Sequence, residues 1–344
     1  MSGPLVTVLM PARNASAHIE TAIRSILGQT WRDFELLVID DASEDDTAER
    51  VNRFRDPRIR LLKNAQRLKL SGSLNIGIRE ARGTWIARMD ADDIAHPARL
   101  ARQLRFLNRH PDVSICGTAV DTFGGETVGQ RLKYPEHPDC VRAFSLFHCP
   151  FAHPTVVFRK KDFVELNLFY DVSFYPTEDY ELWARALVHL RGANLPAALL
   201  KYRRHASSMT GAEWTDMDRQ ASRVQARLLA ALGLPSDTHS AERHRAWSMG
   251  RIEPSVECLR EAESWLIAIK KANESCRLYT AEALDCVLAE RWFVLAMACA
   301  SAGMEIWRCY VESPLTGSGW SKIHRASILG ASIVKHARIA HQHV

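Results

Sequence analysis

Short apolar runs alternate with stretches of helical spacing through the first part of the chain. Residues 5–10 form an apolar strand pattern that ends at Pro11-Ala-Arg-Asn14, a turn sequence, and residues 17–27 carry Ile19, Ala22, Ile23, Ile26 and Leu27 at helical spacing. Residues 34–39 read as a second strand running into Asp40-Asp41-Ala-Ser43, with Ser43 as the expected cap of a short helix over residues 47–54. Residues 59–62, 73–81 and 85–89 continue the series as strand, helix and strand. This alternation implies a parallel sheet covered on both faces, with right-handed crossovers. Ligands of such sheets bind beyond the carboxyl ends of the strands, where Asp40, Asp41, Asp90 and Asp92 all sit.

The strand Trp85-Ile-Ala-Arg-Met stops at Asp90-Ala-Asp92-Asp93. Carboxylates crowded at one point repel one another unless a divalent cation neutralises them, and hard oxygen ligands suit magnesium or manganese holding a diphosphate. The plainer reading is a solvated acidic turn before a helix, with Asp93 as cap and Pro97 in the first turn. Residues 99–108 then read as an amphipathic helix with Leu100, Leu104 and Leu107 inward and arginines outward. Residues 112–123 have strand character and end at Gly124-Gly125. A second acidic pair, Glu178-Asp179, opens a helix whose Leu182, Trp183, Ala186 and Leu187 face the core. Exposed amides at a helix start favour a carboxylate, so capping would account for this pair by itself.

Residues 197–202 read as a strand leading to Tyr202-Arg-Arg-His205, and from Glu213 the character changes. Residues 219–232, 255–271, 281–303 and 321–341 read as helices with broad apolar faces and no catalytic motif. The expected organisation is a catalytic domain over residues 1–212 and an all-helical extension over residues 213–344. In its last helix Lys322, Arg325, Lys335 and Arg338 alternate with Ile323, Ile328, Leu329, Ile333 and Val334. A basic amphipathic helix can lie on anionic lipid, and the same pattern equally suits a core stripe with a solvated face. Packing on the catalytic domain, pairing with a second copy and contact with a membrane surface all stay open for the extension.

Composition narrows the partners. At 47% hydrophobic and 25% charged residues the chain is ordinary for a soluble protein, and a formal charge of +5 over 344 residues argues against a nucleic-acid binder. The eight cysteines include no C-x-x-C pair and read as free thiols of a reducing cytosol. Met-Ser-Gly-Pro-Leu-Val lacks the basic and long apolar regions of a signal peptide. The most apolar later stretch, residues 292–304, is shorter than the roughly 20 residues a membrane span needs, so a cytoplasmic protein is expected.

Pro11-x-x-Asn14, Ser25-Ile-Leu-Gly-Gln29, Phe34-Glu-Leu-Leu-Val-Ile-Asp40-Asp41-Ala-Ser43, Ser73-Leu-Asn75-x-Gly77 and Met89-Asp90-Ala-Asp92-Asp93 occur in an order that resembles the family 2 glycosyltransferases. The resemblance implies a GT-A fold, Rossmann-like with a mostly parallel central sheet, a nucleotide-diphosphate sugar donor, Mn2+ or Mg2+, and inversion at the anomeric carbon. It places Pro11, Arg13 and Asn14 around the base, most simply uracil, with Asp41 or Asp40 as the hydrogen-bond acceptor. It places Lys69 and Asn75 near nucleotide or phosphate, Asp90 at the ribose or the metal, and Asp92 on the metal. His205 would be a third metal ligand, with Arg203 or Arg204 on phosphate oxygens. Asp179 would be the catalytic base, with Glu178 orienting it or binding the acceptor. Asn64-Ala-Gln-Arg departs from the Asn-x-Gly that many relatives carry before the Ser-Leu-Asn helix, which leaves an ordinary basic turn as an equal reading there. Cys149-Pro-Phe-Ala-His153-Pro matches a segment on the acceptor side, where His153 faces acceptor or metal or is satisfied by backbone.

The expected function is transfer of a sugar from a UDP-sugar to a hydroxyl of a saccharide or lipid-linked saccharide, in bacterial surface polysaccharide synthesis. One rival is a sugar nucleotidyltransferase, whose first strand leads into a Gly-rich loop that Pro11-Ala-Arg-Asn14 does not provide. The other is a non-catalytic nucleotide-sugar-binding protein of the same fold, against which the intact Asp92 and Asp179 argue.

Overall fold

The computed structural model describes residues 3–124, 129–204 and 211–316. The chain forms two compact units, Met1–Ser145 with Cys149–Met217, and Leu146–His148 with everything from Asp218 onward. The first unit contains β1 (Val6–Ala12), α1 (Ile19–Leu27), β2 (Phe34–Asp40), α2 (Thr47–Asn52), β3 (Ile59–Lys63), α3 (Lys69–Glu80), β4 (Trp85–Arg88) and β5 (Ile94–Ala95). It continues with α4 (Arg99–Arg109), β6 (Val113–Phe123), β7 (Arg131–Leu132), α5 (Pro138–Phe144), β8 (Val157–Arg159), α6 (Lys160–Glu165), α7 (Glu178–Ala186) and β9 (Arg191–Arg203).

The strands form one sheet in the order β3-β2-β1-β4-β8-β6-β9-β5, with β7 beside β6. From β3 to β4 all pairs are parallel. Beyond β4 the sheet is mixed: β8 is antiparallel to β4 and β6, β9 is parallel to β6, and β5 is antiparallel to β9. The sheet is therefore mostly parallel as expected, strictly so where strand and helix alternate, with short antiparallel pairings added where that alternation ends. Side chains of β1 and β2 divide by parity between two cores. Val8, Met10, Leu36 and Val38 point into one, and Leu9, Leu37 and Ile39 into the other. Burial on both faces is why these runs read as continuously apolar.

Several local expectations change. Pro11 and Ala12 belong to β1, paired with Ile39 and Asp40, and are not a turn. The β4 partner reaches only Leu9, so Pro11 lies where one side of the strand is unpaired and a missing N–H costs nothing. Ser43 does not cap α2, because its hydroxyl donates to Asp40 at 2.5 Å. Arg99 is wholly buried instead of outward, with Nη2 donating to the Arg88 carbonyl at 2.6 Å. Helix α3 starts four residues before Ser73, at Lys69. Its Gly77 lies so close to β1 that a Cβ there would stand 2.1 Å from Leu9 Cδ1.

The second unit contains most of α8 (Gly211–Ala231), then α9 (Thr238–Ser248), α10 (Val256–Cys276), α11 (Ala281–Cys299) and α12 (Met304–Glu312). Asp237 caps α9 through the Ser240 amide and Ser255 caps α10 through the Cys258 amide. Leu146–His148 is bonded into this unit: Gln225 donates to the Phe147 carbonyl at 2.7 Å and His244 Nε2 to the Leu146 carbonyl at 2.9 Å. Trp265 donates to His244 Nδ1, which fixes a neutral imidazole, and burial lowers the His244 pKa to about 4. Arg291 Nη1 stands 2.7 Å from His148 Nε2. Among the described residues no helix is long and apolar enough to cross a membrane. The basic helix expected over residues 321–341 lies outside the described residues.

Candidate active site

Two loops at the carboxyl ends of β1 and β2 are zipped together by side chains. Arg13 Nη1 donates to the carbonyls of Asp41 and Ala42 at 2.9 and 2.6 Å, and its Nη2 meets Glu44 at 2.8 Å. The Asn14 amide donates to Ser43 Oγ, and Asn14 Oδ1 accepts from the Glu44 amide. The Arg13 guanidinium is thus committed to the loop after β2, on two carbonyls and the Glu44 carboxylate. Asp40 and Asp41 are both buried. Asp41 Oδ1 accepts from Asn64 Nδ2 at 2.8 Å and from the Leu68 amide at 2.7 Å. Asn64, whose surroundings depart from the family pattern, also donates to Ser73 and so ties the start of α3 to β2. Asn14, Ala42 and Lys69 all have positive φ, at 47°, 54° and 60°. Strained backbone of this kind collects at ligand clamps, where surrounding bonds hold it. Lys69 is exposed, with Nζ 5.0 Å from the centre of the Tyr175 ring. Asn75 corrects an expectation: its amide donates to the Tyr170 carbonyl and accepts from the Tyr170 amide, so it clamps main chain instead of facing a nucleotide.

The acidic cluster follows β4. One carboxylate oxygen from each of Asp90, Asp92 and Asp93 falls within 4.8 Å of the others. Asp93 is not a helix cap: Oδ1 accepts from the Arg203 amide at 2.8 Å, and the buried Oδ2 has no partner among the described residues. Burial, and after it the charge of Asp90, pushes Asp93 to about 9. Burial likewise raises Asp90, against the pull of Arg88, whose Nη1 lies 2.5 Å from Asp90 Oδ2. Crowded hard oxygens, two of them driven toward protonation and one unpartnered, are the donor set a small divalent cation fits. His205, expected as a third ligand, lies outside the described residues.

Asp90 also lines a cleft of about 450 Å³ that brings it to Glu178 and Asp179 at the start of α7. Arg88, Tyr134, Cys149, His153, Tyr202 and Arg204 complete its polar lining. Neither acidic residue simply caps the helix. Asp179 Oδ1 accepts from the adjacent Tyr180 amide at 2.7 Å, and Oδ2 lies 3.6 Å from Cys149 Sγ. Glu178 Oε2 is buried without a partner among the described residues. Burial, then the charge of Asp179, pushes Glu178 to about 7, and burial raises Asp179 as well. His153 Nε2 is 2.8 Å from the Tyr170 hydroxyl, and burial keeps its imidazole neutral.

Arg88 is the residue that sequence reasoning missed. It is buried, it pairs with Asp90, its Nε has no partner among the described residues, and its charge acts on Asp93, Glu178 and Asp179. The signal was present as a lone cation inside an apolar strand, two residues before the acidic cluster.

Residues 7–165 match the family model for Glycosyl transferase family 2. The O-antigen biosynthesis glycosyltransferase WbnJ of Escherichia coli is 32% identical over 212 residues, covering 59% of this chain and 81% of that protein. WfgD of E. coli, a UDP-Glc:alpha-D-GlcNAc-diphosphoundecaprenol beta-1,3-glucosyltransferase, is 31% identical over 222 residues, covering 64% of this chain and 85% of its own. Among solved structures, S. aureus TarS 1-349 with UDP-GlcNAc aligns at TM-score 0.56 with 16% identity, over 86% of this chain and 90% of that one. The mannosyltransferase PcManGT of Pyrobaculum calidifontis with GDP-Man and Mn2+ aligns at 0.50 with 16% identity, over 97% and 87%. The likeness is one of fold: the architecture here is the GT-A fold, with a helical carboxyl-terminal region. The chain belongs to glycosyltransferase family 2.

Proposed function

We propose that this chain is a metal-dependent, inverting glycosyltransferase that moves a sugar from a UDP-sugar to a hydroxyl of a lipid-linked saccharide in bacterial surface polysaccharide synthesis. The observation that carries the reading is the single cleft shared by Asp90 of the acidic cluster and Asp179 of α7, because it puts a donor site and a base within one small volume. Pro11, Arg13, Asn14, Asp40, Asp41 and Lys69 form the nucleotide slot. The fold by itself does not choose the base, since one neighbour holds UDP-GlcNAc and another GDP-Man. Uracil is inferred from the relative named for UDP-Glc, whose name also supplies the lipid-linked acceptor.

Asp90, Asp92 and Asp93 would hold Mn2+ or Mg2+, which supplies Lewis-acid stabilisation of charge on the departing diphosphate. Asp179 takes the proton of the acceptor hydroxyl as that oxygen attacks the anomeric carbon from the face opposite the diphosphate. A single displacement of this kind inverts the anomeric centre. Arg88 offsets the negative charge gathered around the cleft. Glu178 is a second candidate base on one observation, its unpartnered buried oxygen with a pKa of about 7, close to the optimum for a general base at neutral pH.

Thermal-shift screening of UDP, GDP and their sugars, with and without manganese, tests the donor. Asp92→Asn is expected to abolish metal-dependent UDP binding. Asp179→Asn is expected to keep that binding and to lose transfer by at least 100-fold, the lower end of what a positioned base contributes, roughly 10²–10⁴-fold. Normal turnover by Asp179→Asn with loss in Glu178→Gln would move the base to Glu178.

A further inference from the structure

We propose that Cys149 is a positioning residue for Asp179, its thiol proton shared between the Asp179 carboxylate and the Phe151 carbonyl according to the charge on Asp179. The proposal rests on the reading of Asp179 as the base. Sγ lies 3.6 Å from Asp179 Oδ2 and 3.4 Å from the Phe151 oxygen. A thiol carries one proton, and neither oxygen has one to give while Asp179 is ionised, so the two acceptors compete. Bonds to an ionised group are about twice as strong as neutral ones, so the carboxylate wins in its charged state. Once Asp179 has taken the proton of an acceptor hydroxyl that advantage is gone, and the thiol turns to Phe151. With Oδ1 held by the Tyr180 amide, the thiol on Oδ2 fixes the plane of the carboxylate.

Other surroundings agree with a donor role. Among the described residues Cys149 is the only side chain hydrogen-bonded to Asp179. Glu178 on the same helix, Arg88 on β4, and Tyr134 and Tyr170 act on Asp179 through their charge or polarity. Burial, followed by the charge of Asp179, holds the thiol pKa well above its ordinary value. The sulfur therefore stays protonated, which suits a donor and disfavours a nucleophile or redox sensor.

The first test uses the whole 344-residue chain and needs no substrate. Infrared difference spectra against Cys149→Ala, or against Cys149→Ser should the alanine variant fold poorly, isolate one S–H stretching band. The band should lie at lower frequency while Asp179 is ionised, rise as falling pH protonates it, and lose this response in Asp179→Asn. A band that ignores pH, or titrates unchanged in Asp179→Asn, overturns the proposal. With UDP-glucose or UDP-GlcNAc as donor probe, the acid limb of kcat/KM should move up by about half a pH unit in Cys149→Ala and down in Cys149→Ser, with donor KM unchanged. If Asp179→Asn is inactive while both limbs coincide with the parent's, Cys149 alone is misassigned. If Asp179→Asn transfers normally, the base reading falls and Cys149 positions nothing.

Discussion

Glu178 and Asp179 are neighbours in sequence that share one cleft, and each carboxyl is driven toward its neutral form by burial. The shift of Glu178 from 4.5 to about 7 means that the folded protein binds its proton more tightly than the unfolded chain does. Its stabilising contribution is thus complete below the ordinary carboxylate range and is lost as pH rises through about 7. Glu178→Gln imitates the neutral form, so its stability should match the parent near pH 4, exceed it increasingly up to about pH 7 and level off above that, with a ceiling of about 3 kcal/mol. A difference that stays constant across a pH series of thermal unfolding would contradict this. The acidic residues were legible as carboxylates gathered at strand and helix ends, while their roles came from the family resemblance. The clamp formed by Asn75 and the bridge formed by Asn64 were not legible, because each depends on a partner distant in sequence. Arg88 pairs with Asp90 only two positions on, but its action on Glu178 and Asp179, about ninety positions away, exists only in the fold. Asn75 shows this most plainly, its partner Tyr170 lying 95 positions away.

Elements were easier to read than their ends. The first four strands and three helices follow from periodicity, and burial on both faces keeps β1, β2 and β4 apolar apart from a few positions such as Thr7, Glu35 and Arg88. Helix α9 was missed because Thr238–Ser248 carries His, Arg and Glu where an apolar stripe would announce a helix, yet His244 and Arg245 are buried in it. The start of α3 was placed late because Lys69 has positive φ and opens the helix from a conformation no propensity favours. Within α3, Gly77 records the closeness of helix and strand. Gly77→Ala should cost about 1–3 kcal/mol in urea unfolding, because Leu9 is wholly enclosed and cannot retreat. Adding Leu9→Ala should then cost less than the same change does alone, and strictly additive values would rule out the clash.

For the whole molecule, the expected division near residue 212 omits a detail: three residues from the middle of the first unit belong to the second. A chain ended at Met217 keeps Leu146, Phe147 and His148 but removes Gln225, His244 and Arg291, which bond them. It should bind a hydrophobic dye through Phe147 and melt well below the full chain, and an equal melting temperature with no dye binding would refute this. The same loop bears on how the protein is made. As the polypeptide leaves the ribosome, Phe147 emerges 78 positions ahead of Gln225, Leu146 98 ahead of His244, and His148 143 ahead of Arg291. Translation therefore delivers this short stretch long before its partners, and its native bonding waits until synthesis has passed Arg291.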